Sequence, residues 1–154
     1  MVNLEKEYLP ALAALPVGVV AGLALAWAAK RSRIGGGRLE TWDARTTLPL
    51  LVAAAAAHLA LLPVVEQMRV VLFTLYAISL LGTVGLAIAG IGIWRLGAVV
   101  FPLGSIAAYF YFALLVHSVD VVGLLVKLVE VVTIVAALMP IVRRQPAGER
   151  WTVS

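Results

Sequence analysis

Glu130 and Lys127 stand three residues apart in a stretch, Val121 to Val142, that holds no other ionisable group. Residues so spaced share a helix face, where a carboxylate and an ammonium can neutralise each other. At membrane depth an ionisable side chain costs at least a few kcal/mol, which makes it a functional-site candidate by default. His58 is a third such group, inside the apolar stretch Thr46 to Val65. A neutral imidazole there could accept from Lys127 or donate to Glu130. The chemistry open to this trio is proton exchange, binding of a charged ligand, or a static polar latch between helices.

Helical rise places further groups at the same depth. At about 1.5 Å per residue, His58 falls roughly 4 Å outward of the midplane, Glu130 about 2 Å and Lys127 about 6 Å. Tyr76, Ser79 and Tyr109 fall in the same slab, and their hydroxyls could satisfy remaining lone pairs. The predicted intramembrane cluster is therefore His58, Lys127, Glu130, Tyr76, Ser79 and Tyr109. His117 and Asp120 extend it to the outer surface at helical spacing. His117 lies about 14 Å shallower than His58, which does not fit a bis-histidine haem. Nothing else has metal-ligand spacing to His58, so no metal and no cofactor is expected.

These residues must be carried by membrane-spanning helices. Of 154 residues, 63% are hydrophobic and only 13% charged, with a mean hydropathy of +1.05, against about 25% charged in a soluble domain. The fold class expected is all-α: a single transmembrane domain, an integral membrane bundle of five helices. The spans run over about 8–29, 46–65, 70–94, 96–116 and 121–142, with a basic loop at 30–45 and a tail at 143–154. Each is too long and too uniformly apolar for a barrel strand. The first is read as a span and not a leader, because Glu5-Lys6-Glu7 before it is net acidic. The alternative is four spans with 121–142 lying along the surface, but Val131 to Val142 is apolar all round.

Positive charge orients the bundle. One side gathers Lys30, Arg31, Arg33, Arg38, Arg45, Arg95, Arg143, Arg144 and Arg150, and the other only Lys6 and Arg69. The richer side is cytoplasmic by the positive-inside rule, so the expected location is the cell membrane with the amino terminus outside and the carboxyl terminus inside. Basic residues grouped at the ends of apolar runs do not form a nucleic-acid face, and no nucleic acid is expected as partner. The expected partners are the lipid bilayer and either other membrane subunits or further copies of the chain. Cysteine is absent, which excludes disulfides and thiol chemistry.

Gly18 and Gly22 form a Gly-x-x-x-Gly pair, and Gly82 and Gly85 offer small positions in the third span. Both pairs are expected to let helices approach closely within the chain, a dimer interface being the alternative. Ala53 through Ala57 thin one side of the second span beside His58. Pro16, Pro49 and Pro102 fall inside apolar runs, where membrane bundles tolerate them.

No phosphate-binding loop, nucleophile elbow or zinc-protease motif occurs, and no internal repeat supports an inverted-repeat transporter. Ala57-His58-Leu59 with Pro63, followed by Asp120-Val121-Val122-Gly123-Leu124-Leu125 with Lys127 and Glu130, resembles small multi-span membrane proteins of unassigned function from high-GC bacteria. The similarity covers about half the chain. It departs at Val64 and Val65, where such proteins often carry acidic and histidine residues, and it implies no activity. The first functional expectation is a non-enzymatic accessory or scaffolding component of a membrane complex, its polar cluster a latch. The alternative is a small transporter or proton-conducting module using His58, Lys127 and Glu130. A membrane enzyme stands third, for want of a nucleophile or metal set.

Overall fold

The computed structural model of the chain describes residues 9–32, 39–116 and 119–143. His117, Lys6, Arg33, Arg38, Arg144 and Arg150 lie outside the described residues. Six α-helices follow one another: α1 (Leu9–Ser32), α2 (Thr41–Arg45), α3 (Thr47–Leu61, extended by a 3₁₀ turn over Leu62–Val64), α4 (Gln67–Ile88), α5 (Trp94–Val116) and α6 (Val121–Arg143). With α2, α3 and the 3₁₀ turn taken as one segment, Thr41–Val64, five helical segments among the described residues are long and apolar enough to cross a membrane.

The two largest departures from the expected boundaries each have a local reason. The second span starts at Thr41, not Thr46, so Trp42, Asp43 and Arg45 are helical residues and not loop. Its break at Thr46 (φ −125°, ψ −70°) has a cause three residues on. Pro49 has no N–H for the carbonyl of Arg45, where α2 ends. The third span stops at Ile88, not Trp94. Gly90 takes φ 73°, and the amides of Ile91 and Gly90 bond back to the carbonyls of Leu86 (3.0 Å) and Ala87 (3.1 Å). That is a Schellman stop, built on the residue type that tolerates a left-handed backbone. Trp94 instead opens α5 and is buried.

Helix α3 is the centre of the molecule, with eleven of its 15 residues buried. It packs on α4, α4 on α5, α5 on α6 and α6 back on α3, which closes a four-helix ring. Helix α6 is part of this ring and does not lie along a surface. Helix α1 sits outside the ring against α3. Its buried residues, Ala11, Gly18, Gly22, Ala26 and Ala29, are all small. A Cβ on Gly18 would stand 2.5 Å from the Cα of Ala53, and one on Gly22 2.5 Å from the Cα of Pro49. Backbone meets backbone there, which lipid tails cannot drive and close packing must.

Gly82 and Gly85 do not pack this way. A Cβ on either would meet nothing within 4 Å, because both lie on the exposed side of α4, away from its neighbours. The close approach of α4 to α5 falls instead at Gly97, where a Cβ would come 2.6 Å from Thr83 Oγ1.

Candidate functional site

All four helices of the ring contribute to one buried polar cluster. Glu130 of α6 is fully buried and receives Tyr76 Oη of α4 at 2.8 Å and Ser105 Oγ of α5 at 3.0 Å. Lys127 Nζ donates to both of its carboxylate oxygens, at 3.0 and 2.9 Å, and also to Ser105 Oγ. His58 of α3 completes the set, its Nε2 3.7 Å from Glu130 Oε1. Phe73 and Tyr76 hold the imidazole edge-on, with ring centroids 5.1 and 4.5 Å away. Ala53 to Ala57 make room for this arrangement, since all but Ala56 are buried small residues on the helix that carries His58.

The other imidazole nitrogen fixes the protonation pattern. His58 Nδ1 lies 2.8 Å from the carbonyl oxygen of Ala54. A carbonyl only accepts, so Nδ1 carries a hydrogen, and in the neutral ring Nε2 presents its lone pair. That lone pair would face a carboxylate oxygen, an acceptor against an acceptor. One proton, on His58 or on Glu130, turns this into attraction. The pair lies between α3 and α6, next to the Lys127 ammonium.

The remaining expected residues fall in different places. Ser79 reaches no member of the cluster, because its hydroxyl bonds back to the carbonyl of Leu75 in its own helix (2.8 Å). Tyr109 lies one layer outward. Its ring is 5.8 Å from Lys127 Nζ, its hydroxyl donates to the Asp120 carbonyl at 3.1 Å, and Gly123 leaves space for it. Asp120 caps α6 by accepting the Gly123 amide. Ser105 is the member that depth reasoning missed, although it is the one serine of the fourth span and sits at its centre.

Polar groups thus continue from the cluster towards the Asp120 end. On the opposite side the ring is filled by Leu51, Leu80, Val84, Ala98 and Ala137. Beyond that dry layer lies a second polar cluster, which the sequence reading placed at a boundary. Arg95 Nη2 donates to buried Asp43 at 2.8 Å and stands 3.9 Å from Glu40, while its Nη1 reaches the Ala137 carbonyl at 2.9 Å. Trp42 Nε1 donates to the Ala136 carbonyl at 2.9 Å. Four residues after Ala136 comes Pro140, which has no amide hydrogen to offer it. An indole from α2 replaces the bond that proline removes.

No buried side-chain nitrogen or oxygen among the described residues lacks a hydrogen-bond partner. Nor do three or more His, Asp or Glu side chains among them gather as a metal site would require. The chain matches no protein-family model, no curated protein and no solved structure. Its class rests on fold and site together: a helical, membrane-like bundle with an internal network of histidine, lysine and glutamate.

Proposed function

We propose that this chain is a small proton-conducting membrane module, with the His58–Glu130 pair as its exchange site. The observation that carries this reading is the face-to-face meeting of His58 Nε2 and Glu130 Oε1 at 3.7 Å, a slot that one proton fills. A latch has no need of such groups. Lys127 and Glu130 share one helix, so their ion pair ties nothing to a neighbour, whereas burying the two charges is costly. Amides in their place would still bond Tyr76 and Ser105.

A proton arrives along the polar side, past Asp120 and Tyr109, and is held between Glu130 and His58. Lys127 offsets the carboxylate charge while the slot is empty. The apolar layer of Leu51, Leu80 and Val84 closes the other route in this conformation. The end that gathers Lys30, Arg45 and Arg95 is read as cytoplasmic, so the open side faces outward and the bundle sits in the cell membrane.

Purified protein in liposomes carrying a pH-sensitive dye tests this. Wild type should dissipate an imposed pH gradient faster than protein-free vesicles. Glu130→Gln should abolish the difference, and His58→Gln should cut it by at least about a hundredfold, the lower range for a positioned acid–base group. Folded wild type that conducts no faster than empty vesicles would overturn the proposal. That no fully enclosed side-chain nitrogen or oxygen among the described residues lacks a hydrogen-bond partner favours a second reading, a helix-tying core in an accessory subunit. On that reading Glu130→Gln changes stability, and there is no flux to lose.

A further inference from the structure

A groove of about 360 Å³ runs outside the ring, between α1 and α6 across the start of α3. Its walls are Val19, Pro49, Leu50, Val132, Val135 and Met139, and its polar rim is at the basic end. Along α6 it runs from Val132 to Met139, about 10 Å along the helix axis. Trp42 also lines it, with its indole N–H already held by Ala136. Arg45 stands exposed at the mouth. Among the described residues it has no acidic partner, since Asp43 beside it is taken by Arg95. One turn before Arg45 on the same face of α2, Thr41 accepts a hydrogen bond from Lys30 Nζ at 3.0 Å. Two cations therefore flank the top of an apolar slot that opens to lipid.

We propose that this groove seats one anionic phospholipid from the leaflet at the basic end. An acyl chain lies against Val19, Leu50, Val132 and Val135, and the headgroup phosphate takes Arg45, with Lys30 beside it. Charge complementarity selects this occupant. A zwitterionic headgroup brings its own ammonium to a mouth that already carries two positive charges. A guanidinium with free donors matches phosphate oxygens in pairs.

Trp42 is a built-in reporter for the test. In a variant whose other tryptophans are replaced (Trp27→Phe, Trp94→Phe and Trp151→Phe), lipids brominated on the acyl chain quench Trp42 when they enter the groove. The protein is placed in phosphatidylcholine vesicles containing small fractions of brominated phosphatidylglycerol or brominated phosphatidylcholine. Phosphatidylglycerol should associate at least about fivefold more strongly, the effect of one basic residue near an anionic lipid. Arg45→Gln should bring the ratio close to one, whereas Arg69→Gln at the opposite end should leave it unchanged. Equal quenching by the two lipids would overturn the proposal, as would a preference that survives Arg45→Gln. Absence of quenching by either lipid would mean that a second copy or another protein covers the groove, and would equally sink it. Helical content by circular dichroism is checked for every variant, so a misfolded Arg45→Gln is replaced by Arg45→Lys, expected to keep part of the preference.

Discussion

Replacing Glu130 by glutamine removes one negative charge and almost no volume, so its consequences follow from the partners around it. The glutamine oxygen can still accept from Tyr76 and Ser105, which now lie at 2.8 and 3.0 Å. What it cannot do is balance Lys127, whose ammonium sits 2.9 Å away and is almost entirely buried. Removing one partner of a buried pair leaves a charge without compensation, a loss of about 3–5 kcal/mol. For a chain of this size, about 2–4 °C per kcal/mol puts the expected fall in detergent melting temperature at about 6–20 °C. Neutralising Lys127 as well, in Lys127→Gln/Glu130→Gln, should restore at least about 2 kcal/mol of this, since buried pairs are often replaced at little net cost. The double-mutant cycle over the two sites then yields a coupling energy well above the few tenths expected for independent positions. Proton conduction should be lost in single and double variants alike. A Glu130→Gln protein that melts within about 2 °C of wild type, or a cycle with no coupling, would show that these charges are solvated and would refute the account of the core.

Three further outcomes are expected. Gly18→Leu should destabilise the protein by about 1–3 kcal/mol, as overpacking does, because its Cβ meets the backbone of Ala53 at 2.5 Å; Gly82→Ala, facing open space, should leave the melting temperature unchanged or slightly raised. Arg95→Gln should lose about 3–5 kcal/mol by leaving buried Asp43 unpaired, and Asp43→Asn added to it should recover most of that in the same melting assay. Trp42→Phe should lose about 1–3 kcal/mol, the penalty for an unsatisfied buried acceptor at Ala136, and amide exchange should quicken in the last turns of α6.

The five spans were legible in the sequence because hydrocarbon imposes one rule on every residue of a crossing helix. Depth was legible too. A constant rise per residue put His58, Tyr76, Lys127 and Glu130 at one level, and the structure brings those four together. Azimuth was not, because it depends on which neighbours a helix acquires. Depth put Ser79 in the cluster and passed over Ser105, yet Ser79 bonds its own helix and Ser105 meets the carboxylate. The two glycine pairs looked alike, and only the one facing α3 is a contact. The cluster of Asp43, Arg95 and Trp42 was hidden because charged residues near Arg45 read as loop. Its signal was Pro140, whose missing amide hydrogen leaves one carbonyl of α6 in search of a donor.

The hub of the polar network is carried by α6, which is made after the three helices it joins. His58, Tyr76 and Ser105 belong to segments made earlier, and each must wait in the bilayer until α6 delivers the carboxylate. Until then their hydrogen-bonding groups have no common acceptor, and the ring lacks its closing wall. Biogenesis of this chain therefore carries its own completeness check. A product cut short before residue 130 keeps most of its greasy surface but not the carboxylate to which Tyr76 and Ser105 donate, and quality-control proteases that recognise unsettled membrane helices would have a distinct target.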